Sequence, residues 1–156
     1  MKAQPLSGEN GKVLVIDDNP IIQRTVYFQG RNEGFNVVMC GDLTESLAVV
    51  RREKPDIIVL DINFPAENAT VTAEPRDGFW AAKWFRHLPE ASHIPIILIS
   101  TADPAEAEPR ALAAGAAAFL AKPLDKEKLI STIRELMAVR KPETEGIAAS
   151  SGLKMA

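Results

Sequence analysis

The sequence predicts an α/β domain in which a five-stranded parallel sheet carries helices on both faces, as in doubly wound folds. Short continuous apolar runs, such as Val13–Ile16 and Ile57–Leu60, indicate strands that are buried on both faces. These runs alternate with segments of helical spacing, and this alternation favours a parallel sheet with right-handed crossovers. At 156 residues the chain suits one such domain, whose folding would bury about 68–70% of the surface of the unfolded chain.

The first strand and helix are predicted at 12–33. Lys12–Ile16 is a short apolar run, and Asn19 and Pro20 follow it as a helix N-cap and a proline at the first helical position. Gly34 ends the helix, and Gly30 inside it costs about 1 kcal/mol relative to alanine, so the helix depends on tertiary packing. The residues expected to face the core are Ile22 and Val26, with Ile21 and Phe28 as further candidates.

The second strand is predicted at 35–40 and the third at 57–61. Asp42 is expected to cap the helix between them, with Glu45 as its capping-box partner and Pro55 closing the segment. The third strand runs directly into Asp61. Because parallel sheets place their sites at the carboxyl ends of strands, Asp61 is the first candidate for chemistry.

An irregular segment, 63–76, separates the two halves of the chain and predicts a long loop. Asp77 and Gly78 then begin a third helix, and a fourth strand at 95–99 ends in Ser100. An alanine-rich helix interrupted at Pro109 leads to a fifth strand at 117–121. Asp125 caps a last helix to about Val139, with Leu129, Ile133 and Leu136 facing inward.

Composition excludes several functional classes. The 18 basic and 21 acidic residues are mixed and give a net charge of -3, so no basic stripe is available for nucleic acid. The single cysteine, Cys40, excludes an internal disulfide and fits a reducing compartment. No apolar run reaches membrane-spanning length, and Met1–Lys12 lacks the apolar centre of a signal peptide. We therefore expect a cytoplasmic protein with no direct nucleic-acid or membrane partner, built as a flexible leader (1–11), one domain (12–139) and a flexible tail (140–156).

Four predicted strand ends would bring chemical groups to one edge of the sheet: Asp17 and Asp18, Asp61, Ser100 and Lys122. Three clustered carboxylates repel one another unless a cation is present, and an oxygen-only set suits Mg²⁺. A carboxylate beside that metal can attack a phosphoryl donor while an ammonium stabilises the transferring group, and a nearby hydroxyl can bind the new phosphoryl oxygens. Each residue alone has a plainer interpretation as a helix cap or a solvated charge.

Five segments of the sequence match a known family: Val13–Pro20, Ile57–Pro65, Asp77-Gly78, Pro95–Ser100 and Gly115–Pro123. Through them the sequence resembles the receiver domain of two-component response regulators, of the stand-alone type. The resemblance covers roughly 12–139 and implies a flavodoxin-like fold with strand order 2-1-3-4-5. It also implies a switch controlled by phosphorylation, which catalyses at most its own phosphorylation and dephosphorylation.

The resemblance implies a role for each residue of the site. Asp61 would accept a phosphoryl group from a histidine kinase or a histidine phosphotransfer protein, and Lys122, followed by a cis bond to Pro123, would pair with that group. Ser100 and Phe119 would form the switch that alters binding of a downstream protein partner. The implied Mg²⁺ ligands are Asp18, Asp61, the backbone carbonyl of Asn63 and, through water, Asp17.

The chain departs from the family pattern at three places. Eleven residues, Ala66–Arg76, stand where the family usually has two, and this inserted loop beside the site either gates access of kinase or water or is a solvated insertion, which we favour. Trp80 and Trp84 either pack under this insertion or form a partner-binding patch. Pro109 falls within the fourth helix, which would restart there with Glu108 as its cap. His87 and His93 lack metal-ligand spacing and are expected at the surface.

Two other functional classes compete with the switch. Aspartate-nucleophile phosphohydrolases also use a strand-end carboxylate and Mg²⁺, but they require a second acid two residues later, where Asn63 stands. A receiver-like scaffold that is never phosphorylated has no physical need for clustered carboxylates. The sequence therefore favours the phosphorylated switch and keeps the scaffold as the alternative.

Overall fold

The structure, a computed structural model, describes residues 10–63 and 77–150, with side chains of the last helix described as far as Val139. Most of the expected leader, the whole insertion 66–76 and the last residues of the expected tail lie outside these ranges.

Within the described residues, five parallel strands form one sheet in the order β2-β1-β3-β4-β5. This confirms the predicted fold class and strand order. The register pairs Asp61 with Ile99 and Ser100 with Ala121, which brings the carboxyl ends of the strands to one edge. The strands are β1 (Lys12–Ile16), β2 (Asn36–Cys40), β3 (Ile57–Asp61), β4 (Ile96–Ser100) and β5 (Ala118–Ala121).

Helices cover both faces of this sheet. They are α1 (Pro20–Asn32), α2 (Ser46–Glu53), α3 (Gly78–Arg86), α4 (Pro104–Ala113) and α5 (Lys126–Ser150). Buried residues of α1 and α5 pack in one core cluster, and those of α2, α3 and α4 pack in the other. Every residue of β3 and β4 is buried between the two layers, as their continuous apolar sequences predict.

Side chains cap the helices largely where the sequence indicates. The Asn19 amide oxygen accepts the backbone N–H of Ile21 at 2.9 Å. The Asp77 carboxylate accepts that of Trp80 at 3.0 Å, and the Asp125 carboxylate accepts that of Lys128 at 3.0 Å. Such caps satisfy N–H groups that have no partner within the helix.

The predicted capping box at Asp42 and Glu45 is wrong. Asp42 caps a 3₁₀ turn, Leu43–Glu45, by accepting the N–H of Thr44 at 2.9 Å. α2 starts only at Ser46, and Glu45 precedes it without a side-chain capping hydrogen bond. The buried Ser46 hydroxyl instead donates to the Leu43 carbonyl at 2.6 Å, which tightens the turn.

Three further expectations need correction. Ile21 and Phe28 are 69% and 60% exposed, because the inward side of α1 is narrower than its apolar composition suggests and Val26 lies at its centre. α4 does not restart at Pro109: Asp103 caps it and Pro104 takes the first turn, so Pro109 lies inside one continuous helix. α5 continues to Ser150, well beyond Val139, since alanine and glutamate favour helix despite Pro142 and Gly146.

In the part of the chain that the structure describes, none of the helices combines the length and the apolar character that crossing a membrane requires.

Candidate functional site

The carboxyl edge of the sheet gathers the residues that the sequence singles out. Asp17 directly follows β1, Asp61 ends β3, Ser100 ends β4 and Lys122 directly follows β5. The backbone N–H of Lys122 donates to the Ser100 carbonyl at 2.8 Å, so the sheet hydrogen bonding continues to the site. Parallel pairing alone therefore brings these side chains together.

Lys122 joins two buried carboxylates. Its Nζ donates to Asp17 Oδ2 at 3.0 Å and to Asp61 Oδ1 at 3.1 Å. Asp17 is fully buried and Asp61 is 2% exposed, so both carboxylates have left bulk water. Each buried charge therefore depends on this shared ammonium, because burying an unpaired carboxylate is costly.

Asp18 adds a third carboxylate on the solvent side of the pair. Ligand oxygens of Asp17, Asp18 and Asp61 lie within 4.8 Å of one another, and Asp18 is exposed while the other two are buried. Three negative charges meet one ammonium here, which leaves an excess of negative charge at an accessible opening. An oxygen-only donor set with that charge excess fits Mg²⁺, which prefers a few carboxylates and retains water.

The protonation equilibria of the site reflect this arrangement. Burial raises the pKa of Asp61, and the neighbouring Asp17 charge adds to this effect, while the Asn63 N–H and Lys122 oppose it. Burial would lower the pKa of Lys122, but its hydrogen bonds to Asp17 and Asp61 and the attraction of both charges raise it instead. Burial and the Asp17 charge therefore outweigh the contact with Lys122, and further positive charge beside Asp61 would favour its ionised form.

Two local hydrogen bonds fix the turn after β1. The backbone N–H of Asn19 donates to Asp17 Oδ1 at 2.9 Å, which orients that carboxylate toward the site. The side chain of Gln23, on the first turns of α1, donates from Nε2 to the Asp17 backbone carbonyl at 2.5 Å. Sequence reasoning missed Gln23, because a contact of this kind follows from the path of the turn and has no motif of its own.

Asn63 links the Asp61 carboxylate to Ser100. Its backbone N–H donates to Asp61 Oδ1 at 3.1 Å, and its side-chain Oδ1 accepts the Ser100 hydroxyl at 2.9 Å. The Ser100 oxygen in turn accepts the N–H of Ala102 at 2.9 Å. Ser100 is not the N-cap of α4, since Asp103 holds that position, and its hydroxyl proton is directed to Asn63.

Gly78 brings the start of α3 against the end of β3. A Cβ at this position would lie 2.4 Å from the Asp61 carbonyl oxygen and 2.5 Å from Ile62 Cα, which are backbone atoms that cannot move aside. The N–H of Gly78 also donates to the Ile62 carbonyl at 2.9 Å. Only glycine permits this approach, which explains the physical need for the Asp77-Gly78 pair.

The remaining predicted residues lie around this centre. Phe119, on β5, is 9% exposed and packs in the core cluster that faces α3 and α4. The Lys122–Pro123 peptide bond is cis, as expected. His87 and His93 are both exposed, as predicted.

The two tryptophans of α3 lie beside each other and are partly exposed. Their ring centroids are 5.4 Å apart with planes inclined by 20°, and Trp84 also stacks on Phe85 at 5.5 Å. Phe79 and Phe85, on the same helix, are buried in the core. The insertion that could cover the tryptophans lies outside the described residues, so the choice between packing and partner binding stays a prediction.

The chain is similar to known proteins of one family. The family model described as "Response regulator receiver domain" matches residues 13–134. Protein PilH of Pseudomonas aeruginosa is 29% identical over 127 residues, which cover 81% of this chain and 98% of PilH. The probable transcriptional regulatory protein TcrX of Mycobacterium tuberculosis is also 29% identical, but the 130 aligned residues span only about half (51%) of TcrX.

Solved structures agree with the family match. The chemotaxis protein CheY4 of Vibrio cholerae superposes with a TM-score of 0.69 at 28% identity, over 80% of this chain and 97% of that one. The receiver domain of Francisella response regulator 1452 gives a TM-score of 0.71 at 26% identity, over 84% and 99% of the two chains. With its fold, its strand-end acidic cluster and a family match over most of its length, the chain belongs to the response regulator receiver domains of two-component systems.

Proposed function

We propose that this receiver domain is a phosphorylation-controlled switch in which Asp61 accepts a phosphoryl group. The donor is the phosphohistidine of a histidine kinase or a histidine phosphotransfer protein, and the output is altered binding of a downstream protein. The observation that carries the proposal is the shared contact of Lys122 with Asp17 and Asp61 at the edge of the acidic cluster. A working location in the cytoplasm belongs to the same proposal.

The chemistry is a transfer between two residues. An Asp61 carboxylate oxygen forms a bond to phosphorus, the phosphorus–nitrogen bond of the donor breaks, and its electron pair returns to the imidazole nitrogen. Asp61 must be ionised to attack, so the burial that raises its pKa has to be offset by positive charge beside it. Lys122 supplies one such charge and would follow the carboxylate oxygens to the phosphoryl group.

The residues that would hold Mg²⁺ are Asp18, Asp61 and the backbone carbonyl of Asn63, with Asp17 acting through water. When bound, the metal supplies charge neutralisation for the phosphoryl oxygens. Asp18, which is exposed, would be the ligand nearest to solvent, and the buried Asp17 would be held in place by Lys122 and the Asn19 N–H.

The switch would start at Ser100. Its hydroxyl now donates to Asn63 Oδ1, and a phosphoryl group on Asp61 offers stronger, charged acceptors close by. Ser100 would then exchange its partner, and the segment after β4 would follow because Ala102 donates to the Ser100 oxygen. Phe119 lies on β5, two residues before Ala121, which pairs with Ser100. Its buried side chain would transmit the change to the core cluster that contains residues of α4.

The scaffold alternative is not favoured. A binding scaffold gains nothing from two buried carboxylates and a third beside them, since their repulsion only costs stability. Turnover of external substrates is also disfavoured, because Asn63, which stands two residues after Asp61, offers an amide and no acid.

Intact mass after incubation with Mg²⁺ and a small phosphodonor such as acetyl phosphate tests the proposal. We expect the wild type to gain one phosphoryl group and Asp61→Asn to gain none. Glu135→Gln, which removes one exposed carboxylate on α5, is the matched control and should still gain the group. Absence of the gain in the wild type would favour the scaffold.

A further inference from the structure

The side chain of Gln23 contacts the backbone of the acidic cluster without belonging to the cluster. Its Nε2 donates to the backbone carbonyl of Asp17, six residues earlier in the chain, at 2.5 Å. The contact is partly buried, and the helix backbone that carries Gln23 is anchored to the same turn because the Gln23 N–H donates to the Asn19 carbonyl at 3.1 Å. Gln23 thus connects α1 to the Asp17–Asp18 peptide group, directly after β1.

The Asp17 carbonyl needs such a donor. The Asp17 N–H continues the sheet by donating to the Cys40 carbonyl at 3.0 Å, but strand pairing between β1 and β2 ends at Ile16 and Cys40. Beyond Cys40 the chain turns away into the Gly41–Asp42 segment, so the next ladder donor does not reach this carbonyl. The Gln23 amide takes its place.

Gly41 makes room for this amide. A Cβ on Gly41 would lie 3.0 Å from Gln23 Nε2 and 3.8 Å from the Asp17 carbonyl oxygen. The Gln23 amide, which is partly buried, therefore lies between Gly41, just after β2, and the Asp17 carbonyl, just after β1. Such a fit favours one position of the amide over a freely rotating surface side chain.

The peptide plane that Gln23 holds is the one between Asp17 and Asp18. Its orientation sets the direction in which both carboxylates leave the backbone, and both belong to the proposed Mg²⁺ site. Hydrogen bonds that orient metal ligands from behind commonly change metal affinity when they are removed. We propose that Gln23 is a positioning residue that sets the Mg²⁺ affinity of this receiver by fixing the Asp17–Asp18 peptide, a role that rests on the proposed function.

The test compares two glutamine-to-methionine variants of the same helix. Gln23→Met keeps the length of the side chain and loses its donor. Gln29→Met makes the same chemical change six residues later, at a side chain whose Oε1 has no hydrogen-bond partner among the described residues. The full chain is used throughout, and the midpoint of thermal unfolding is measured from metal-free buffer with chelator up to high millimolar MgCl₂.

We expect the Mg²⁺ dissociation constant, fitted to the rise of Tm with Mg²⁺ concentration, to increase roughly tenfold in Gln23→Met and to stay at the wild-type value in Gln29→Met. A merely structural role would lower the metal-free Tm of Gln23→Met without changing this dissociation constant, and that result overturns the inference. A phosphorylation series by intact mass adds a second readout: the rate in Gln23→Met should approach the wild-type rate at saturating Mg²⁺.

The outcomes separate the two proposals. If Mg²⁺ does not raise the Tm of the wild type, the metal part of the proposed function fails. If the wild type responds and Gln23→Met responds at the same concentration, only the role of Gln23 fails. If Gln23→Met does not fold, Gln23→Asn, whose shorter amide cannot span the same distance, replaces it, and an unchanged Mg²⁺ dissociation constant there refutes the inference.

Discussion

Replacing Asp61 with asparagine should stabilise the metal-free protein at neutral pH. The substitution keeps the shape of the side chain and removes one of the two buried carboxylates that share Lys122. Folding buries the Asp61 charge next to the carboxylates of Asp17 and Asp18. Removing the charge therefore removes this repulsion and the cost of its burial from the folded state.

The magnitude follows from the distances. At an effective dielectric constant of about 20, the Lys122 contact at 3.1 Å attracts Asp61 by roughly 5 kcal/mol, and a carboxylate within 4.8 Å repels it by roughly 3.5 kcal/mol or more. Asp17 contributes that repulsion in full and the exposed Asp18 contributes a screened share, so attraction and repulsion nearly cancel. The burial of the Asp61 charge then decides the sign, and we expect asparagine to raise the free energy of unfolding by about 1–2 kcal/mol.

The effect should depend on pH in a defined direction. Because the pKa of Asp61 is raised in the folded state, the folded protein binds this proton more tightly than the unfolded chain does. The cost of the carboxylate is therefore complete above the raised pKa and disappears as the pH falls toward the ordinary value of 3.8. The advantage of Asp61→Asn should shrink over the same interval.

Thermal unfolding in chelator at pH 7.5 measures the difference, which corresponds to a rise in Tm of about 2–8 °C for a domain of this size. Glu135→Gln removes one exposed carboxylate and should leave the Tm nearly unchanged, which controls for net charge. A variant Tm equal to or below the wild-type value would refute the reasoning, because Lys122 would then fully compensate the Asp61 charge.

Two other substitutions test the same site. Lys122→Met should destabilise the metal-free protein by about 3–5 kcal/mol in urea unfolding, since it leaves the buried carboxylates of Asp17 and Asp61 without their cation. Addition of Mg²⁺ should restore part of this stability. A loss of stability below the experimental error would contradict the contact geometry. Gly78→Ala should lower the free energy of unfolding by more than about 2 kcal/mol, because its Cβ would lie 2.4 Å from the Asp61 carbonyl oxygen. Gly41→Ala should lower it much less, because the nearest atom to its Cβ is the end of the Gln23 side chain at 3.0 Å. Equal losses of stability in the two variants would show that the start of α3 can shift.

The sheet could be predicted because its information is local. β3 and β4 each have four consecutive apolar residues before a polar one, and this pattern fits few structures other than a strand buried on both faces. The site followed from the same pattern, since Asp61 and Ser100 end such strands. Once the strands are parallel, their ends meet without further information.

The errors arise where local signals compete. In α4, Asp103-Pro104 and Glu108-Pro109 both present an acidic residue before a proline, and only the first becomes the cap. The helix then continues through Pro109, an arrangement that propensity alone disfavours. In α1, helical spacing does not state how wide the contact with the sheet is, so Ile21 and Phe28 remain exposed.

Side-chain contacts across turns could not be predicted. The hydrogen bonds of Gln23 to the Asp17 carbonyl and of Ser100 to Asn63 depend on backbone paths that leave no periodic trace in the sequence. Of the two residues that carry these amides, Asn63 follows β3 and Gln23 lies in the first turns of α1, and polar residues are common at both kinds of position. Only the three-dimensional arrangement distinguishes a contact that orients the site from a solvated amide.

The hydrogen bond from the Gly78 N–H to the Ile62 carbonyl has a consequence for how this chain can vary. It ties together two backbone positions sixteen residues apart, directly beside Asp61. The ends of the segment between them are therefore held together. Doubling the length of such a closed segment adds only about 0.6 kcal/mol to the entropic cost of bringing its ends together. The length of this segment is therefore nearly free to change without moving Asp61, so insertions or deletions here can diversify the surroundings of the site while its geometry stays constant.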